Sequence, residues 1–271
     1  METRLLHRTN KPMEGNPSDK WTSLMHHLLK EEFLKECFQR LKRDAAAGVD
    51  GVTVREYEAN LEDNIKDLVT RMKAWKYRPQ TVRRVYIPKG DGSKRPLGIP
   101  AVEDKIVQMG MKQILEEVFE GEFLEVSYGF RPNRSCHDAL DALDKCIMTK
   151  PINYVVDMDI EKFFDTVDHK WLIEAVEQRI SDKNILRLIV RFLKAGVMEE
   201  GKYRETDKGT PQGGIISPIL ANIYLHYILD KWFQEKVKPQ LKGYAQMIRY
   251  ADDFVVCFQS EKEAEEFNKA L

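Results

Sequence analysis

Two aspartates stand side by side at Asp252-Asp253, between apolar runs over 245–250 and 254–258 that read as two strands joined by a tight turn. Adjacent carboxylates repel, and each raises the other's pKa. A divalent cation removes that cost. Magnesium takes oxygen ligands, accepts one or two carboxylates and keeps sites open for water and phosphate. A third acid must come from elsewhere, and Asp159, near the end of an apolar strand over 154–160, is placed to supply it. Three such carboxylates suit two metal ions, one activating an attacking hydroxyl and one stabilising a departing pyrophosphate. Asp157 shares the strand face of Asp159. Asp165 and Asp168 read instead as the close of the strand and the N-cap of the next helix.

Charge is distributed to match. Over the whole chain of 271 residues, 43 Lys and Arg balance 44 Asp and Glu, so the net charge of −1 gives no global sign of a polyanionic partner. Locally, residues 71–95 hold nine basic residues and one acid, whereas 157–168 holds five acids and one base. A cationic strip and an anionic cluster fit a phosphate-binding surface and a metal-binding one. The four cysteines include no C-x-x-C pair, which argues against a zinc site or a disulfide framework, and Cys136-His137 is too little to be a metal site. No apolar stretch reaches membrane-spanning length and the N-terminus has no signal-peptide pattern, so a cytoplasmic protein with no membrane partner is expected.

The elements that must position these residues follow from periodicity. A helix is expected over about 20–43, and a second helical stretch runs through Tyr57, Leu61, Ile65, Leu68 and Met72. Strand 82–87 and a short extended piece ending at Ile99-Pro100 form a hairpin with a Gly-rich tip. Helices follow over 102–120, from Ser135 to about Thr149 with Ser135 and Asp138 as a capping box, and from Asp168. Another starts at Ser217-Pro218 and carries apolar residues to Ile228. Interleaved strands and helices imply an α+β fold. Trp75 and Tyr77, set among Arg71, Lys73, Lys76 and Arg78, read equally as an RNA-contacting helix end or as core anchors.

The strings Asp159-Ile160-Glu161-Lys162-Phe163-Phe164-Asp165, Gly209-Thr210-Pro211-Gln212-Gly213-Gly214-Ile215-Ile216-Ser217-Pro218 and Tyr250-Ala251-Asp252-Asp253 resemble motifs A, B and C of reverse transcriptases, in order. Ile87-Pro88-Lys89, Arg95-Pro96-Leu97-Gly98-Ile99-Pro100 and Tyr128-Gly129-Phe130-Arg131-Pro132 resemble fingers motifs of the same family. The dialect is that of bacterial group II intron-encoded reverse transcriptase/maturases, and the likeness runs from about residue 20 onward.

The resemblance implies the fingers and palm of a right-hand polymerase, with an antiparallel palm sheet packed on helices and an N-terminal helical extension. On this reading 1–80 is the extension and start of the fingers, 81–150 the fingers and 151–271 a partial palm with some fingers elements interleaved, the thumb and DNA-binding regions being absent. The implied activity is RNA-directed DNA polymerisation, weak in a chain lacking a thumb. Asp159, Asp252 and Asp253 are the implied catalytic metal ligands, with the Ile160 carbonyl adding an oxygen, for two Mg²⁺ ions that Mn²⁺ can replace. Lys89 and Arg95 are expected on the triphosphate and Arg83 on the template or base pair. Gln212 is expected on the nucleotide, and Phe163 or Phe164 under its sugar as the gate against a 2′ hydroxyl. The implied partners are group II intron RNA, an RNA template with a DNA primer, and deoxynucleoside triphosphates, with homodimerisation left open. An RNA-binding maturase module without catalysis, a retron or CRISPR-linked reverse transcriptase, and a metal-dependent nuclease are the competing readings.

Overall fold

The computed structural model describes residues 20–88, 90, 92–205, 207–210 and 213–270. Its helices are α1 (Met25–Leu28), α2 (Glu31–Gln39), α3 (Val54–Glu58), α4 (Leu61–Lys73), α5 (Val102–Phe119), α6 (Cys136–Thr149), α7 (Phe163–Thr166), α8 (His169–Glu177), α9 (Lys183–Leu193), α10 (Ser217–Leu225) and α11 (Glu261–Ala270). Its strands are β1 (Val82–Pro88), β2 (Lys94–Ile99), β3 (Tyr154–Asp159), β4 (Val197–Glu199), β5 (Lys202–Arg204), β6 (Ala245–Tyr250) and β7 (Asp253–Phe258). The α+β class is the one expected. No helix among the described residues is long and apolar enough to cross a membrane.

The chain divides into two compact units, each assembled from two stretches. The first takes Met1–Val118 and Phe164–Ser217. Its sheet has the order β2-β1-β4-β5: the expected hairpin pairs β1 with β2, Arg83 opposite Ile99 and Ile87 opposite Arg95, and β4 joins β1 in parallel. Helix α9 packs on this unit through Ile185, Leu188, Ile189, Phe192 and Leu193, which recur at helical spacing and are all buried.

The single helix expected over 20–43 is instead two short helices separated at Leu29 and Lys30, where Lys30 is extended (φ −87°, ψ 122°). The first helix also begins later than expected, for a tertiary reason. Trp21 pairs with the backbone around Ile180, and buried Asp182 accepts hydrogen bonds from the N–H groups of Leu24 and Met25 at 2.7 and 2.9 Å, which starts the helix later. The second helical stretch is likewise divided, with Thr53 and Glu56 forming a capping box ahead of α3 and α4 beginning after Asn60.

The second unit takes Phe119–Phe163 and Pro218–Leu271. Its antiparallel sheet has the order β3-β7-β6. Alternation puts Ile248, Val255 and Cys257 on one face, under Ala139 and Cys146 of α6. On the other face Phe258 meets Phe267 of α11, which also stacks against Trp232 and meets Phe233 edge-on. The Ser135–Asp138 capping box opens α6 as expected, both reciprocal bonds being made. The expected helix from Ser217 runs through α10 and continues as π-helical turns over His226–Asp230 and Phe233–Val237.

Candidate active site

The acidic residues converge because of strand register. Asp159, the last residue of β3, stands opposite Asp253, the first of β7, and Asp253 in turn faces Tyr250 across the β6–β7 hairpin. Asp157 lies on the same face two residues before Asp159. The hairpin loop is only two residues long: Ala251, left-handed at φ 59°, and Asp252. Asp253 therefore belongs to the strand rather than to the turn, and it is this strand position that brings it against Asp159.

Asp253 remains open to solvent on its outer side, yet its carboxyl is held above the ordinary carboxylate range. Partial burial is the first cause, followed by the negative charges of Asp252, Asp159 and Asp157 and a hydrogen bond with Asp159. Crowded carboxylates with all-oxygen donors fit a hard divalent cation, which would relieve the repulsion. Among the described residues no group of three acidic, His or Cys side chains is gathered closely enough to hold an ion as it stands. The Ile160 carbonyl accepts the Phe163 N–H at 3.2 Å, leaving one lone pair uncommitted.

What holds the hairpin is a buried polar network that sequence reasoning did not find. Arg249, the residue before Tyr250, has no exposed surface and uses all five of its N–H donors. Nε and Nη2 grip the Asp230 carboxylate at 2.7 and 2.6 Å, Nη1 reaches Asn222 Oδ1 at 3.2 Å and the Ala251 carbonyl at 2.8 Å, and Nη2 also reaches Ser127 Oγ at 2.8 Å. Asn222 donates onward to the Gly129 carbonyl at 2.7 Å. The backbone of Arg249 is held too, since its N–H donates to Val126 and its carbonyl accepts from Tyr128. The segment Tyr128-Gly129 lies so close to the turn that a Cβ on Gly129 would sit 2.3 Å from the Ala251 nitrogen. In sequence, Arg249 and Asp230 look like any other charged residues; only their complete burial distinguishes them.

Phe163 is buried at 4% exposure with its ring 6.0 Å from Tyr224, whereas Phe164, in the first unit, is half-buried. Also in the first unit, the Phe164 carbonyl accepts from Thr210 N–H at 2.7 Å, and Gly209 adopts φ 82° with its N–H on the Val167 carbonyl. Gly213, at φ 99°, presses on the Gly98 carbonyl of β2, where a Cβ would come within 2.9 Å. Arg95 is exposed on β2. Arg83 is half-buried, and its Nε and Nη2 donate to the Ala47 carbonyl at 3.0 and 2.7 Å, so much of its guanidinium serves the fold. Lys89 and Gln212 lie outside the described residues.

Residues 87–271 match the family model described as reverse transcriptase (RNA-dependent DNA polymerase). The chain is 40% identical over 236 residues to the group II intron-encoded protein LtrA of Lactococcus lactis subsp. cremoris, covering 86% of this chain and 39% of that protein. It is 35% identical to protein YkfC of Escherichia coli (strain K12), over 91% of this chain and 73% of YkfC. A putative COX1/OXI3 intron 2 protein of Saccharomyces cerevisiae is 38% identical over 71% of this chain and 21% of its own length. Among solved structures, telomerase from Candida albicans in complex with a TWJ fragment of telomeric RNA superposes with a TM-score of 0.54 at 14% identity, over 80% of this chain and 44% of that one, a likeness of fold. With a match over most of its length and the fingers and palm fold that goes with it, the chain belongs to the reverse transcriptase family, in its group II intron-encoded branch.

Proposed function

We propose that this chain carries the polymerising centre of an RNA-directed DNA polymerase of a group II intron-encoded protein. The observation that supports this most is the register of β3 and β7, which sets Asp159 against Asp253 with Asp252 in the adjoining turn. Asp159, Asp252 and Asp253 are the metal ligands in this reading, with the Ile160 carbonyl as a further oxygen. Divalent cations, Mg²⁺ foremost with Mn²⁺ as substitute, would supply Lewis-acid stabilisation of the attacking 3′ oxygen and the leaving pyrophosphate. The chain's own contribution is to present the carboxylates on a turn braced by buried contacts. Arg249 clamps the Ala251 carbonyl, and the fit of Gly129 beneath the turn closes off alternative backbone positions.

Arg95, Lys89 and Gln212 are proposed to bind the incoming nucleotide, and Arg83, through the part of its guanidinium not engaged by Ala47, to contact the template. Phe164 is the better candidate for the sugar gate, because Phe163 is committed to the core against Tyr224. The partners in this reading are an RNA template with its DNA primer, deoxynucleoside triphosphates and the group II intron RNA whose splicing the protein assists. Template-directed extension of a DNA primer on RNA, compared between the parent and Asp252→Ala, tests the reading: extension must appear in the parent and vanish in the variant. RNA degraded with magnesium and without nucleotides would point to a nuclease instead.

A further inference from the structure

At the end of α4 the chain reverses at Trp75, and it does so at a cost. Lys76 N–H reaches back to the Arg71 carbonyl at 2.8 Å, a helix-ending loop whose turning residue is left-handed, here Trp75 at φ 58°. Glycine is the residue that fits such a position, and a bulky side chain there costs on the order of 1 kcal/mol. The strained tryptophan is not a core anchor. Tyr77, two residues on, takes that role: it is 2% exposed and its hydroxyl donates to Asp104, whereas Trp75 is only half-buried. Its indole instead lies under two guanidiniums of α9, with Arg187 5.3 Å and Arg191 5.7 Å from the ring centroid.

Arg78 completes the group, donating through Nη1 to the Trp75 and Tyr77 carbonyls at 2.6 and 3.0 Å, while Arg191 Nη1 shares the Tyr77 carbonyl at 3.1 Å. These bonds hold the carbonyls of the loop that follows α4, and that role alone would explain one guanidinium. It does not explain three that repel one another: Arg191 is held below the ordinary arginine range by burial and by the charges of Arg78 and Arg187. Nor is the charge neutralised. Arg71, a turn earlier, is paired with both Asp67 and Glu103, but among the described residues no carboxylate pairs with Arg78, Arg187 or Arg191. Most of their donors, including the whole of the Arg187 guanidinium, are free for a ligand.

We propose that Arg78, Arg187 and Arg191, ranged around Trp75, form a binding ledge for the sugar–phosphate backbone of RNA. Planar guanidiniums suit phosphate oxygens, and the cation–π contacts of Arg187 and Arg191 with the indole help hold two of them beside it in advance. The ligand class rests on the RNA-templated reading above; the geometry of the ledge does not.

The test measures dissociation constants across a salt series for the parent, the double variant Arg187→Gln/Arg191→Gln and Trp75→Gly. The probes are a short single-stranded RNA, a hybrid of RNA template and DNA primer, and a long folded transcript. Each phosphate of a single strand that a variant no longer engages should reduce the slope of log affinity against log salt by roughly 0.7, so about 1.4 for the double variant. Trp75→Gly should weaken RNA binding while its melting temperature holds or rises, because glycine relieves the left-handed turn. Weakening on the short RNA and the hybrid supports a template contact; weakening on the folded transcript alone supports a contact to structured RNA. Unchanged affinity and salt slope on all three probes would overturn the proposal, as would a Trp75→Gly protein that melts earlier but binds RNA as the parent does. A parent that extends no primer, while the arginine variants still lose RNA affinity, would sink the polymerase reading and leave the ledge standing.

Discussion

Arg249 and Asp230 meet through two parallel hydrogen bonds, Nε to Oδ1 at 2.7 Å and Nη2 to Oδ2 at 2.6 Å, with both side chains completely buried. Removing one partner of such a pair leaves a buried charge without compensation, at a cost of about 3–5 kcal/mol. Arg249→Lys keeps the charge and so is expected to lose only part of that stability in urea unfolding, since an ammonium cannot span Asp230, Asn222, Ser127 and the Ala251 carbonyl together. Its primer extension should fall with it. A lysine variant that unfolds at the parent's urea midpoint would show that the network does not brace the hairpin.

Gly129 gives a sharper probe of turn position. A methyl group there would lie 2.3 Å from the Ala251 nitrogen and 3.0 Å from the Tyr250 carbonyl carbon, both backbone atoms that cannot swing aside. Gly129→Ala should push the turn by a fraction of an ångström or more and reduce the rate of extension by about 100-fold, the usual scale for a misplaced reacting group. Gly121→Ala, where a methyl group meets nothing within 4 Å, is the control and should retain the parent's rate. Equal rates for the two variants would contradict the proposed role of the turn.

The raised pKa of Asp253 carries a sign for stability. Its folded value lies above the unfolded one, so the folded protein binds a proton more tightly, and stability falls as pH rises through the folded value. Without metal, Asp253→Asn should therefore melt at a higher temperature than the parent at neutral pH, with the gain shrinking as pH is lowered toward the unfolded value near 4. Added Mg²⁺ should raise the parent's melting temperature more than the variant's, because the ion relieves a repulsion that the variant has lost. Scanning calorimetry with and without the metal reads both effects, and a destabilised Asn variant would reverse the assignment.

Phe164 and Phe163 separate by readout. Phe164→Val should admit ribonucleotides, raising their incorporation relative to deoxynucleotides by about 10- to 200-fold, the range one apolar pocket contact commands. Phe163→Val should leave that ratio alone and lose stability, since its ring packs against Tyr224 at 4% exposure. Single-nucleotide incorporation kinetics with both sugars decide the matter, and the opposite pattern would exchange the two roles.

What the sequence disclosed was local. The capping box at Ser135 and Asp138, the cap at Asp168 and the hairpin pairing β1 with β2 depend on residues a few positions apart, and all three are present. The late start of the first helix was not legible, because its cause, the reach of Asp182 to Leu24 and Met25, comes from more than 150 residues away. The same holds for Arg249. Nothing in its neighbourhood announces that Asp230, on a π-helical turn, and Ser127, on a loop before α6, close around it. Trp75 and Tyr77, indistinguishable in the sequence, separate only when the turn after α4 sends one to the surface and the other to Asp104.

The most direct test of the polymerase assignment is single-turnover deoxynucleotide incorporation opposite each template base of an RNA strand, over a magnesium titration, for the parent and for Asp159→Asn, Asp252→Asn and Asp253→Asn. Each substitution keeps the side-chain shape and removes one ionisable ligand. Correct-base incorporation by the parent is expected, with a loss of at least about 1,000-fold in each variant, the scale of roughly 4 kcal/mol of transition-state stabilisation. Incorporation by all three variants at the parent's rate, or base-independent incorporation by the parent, would contradict the assignment.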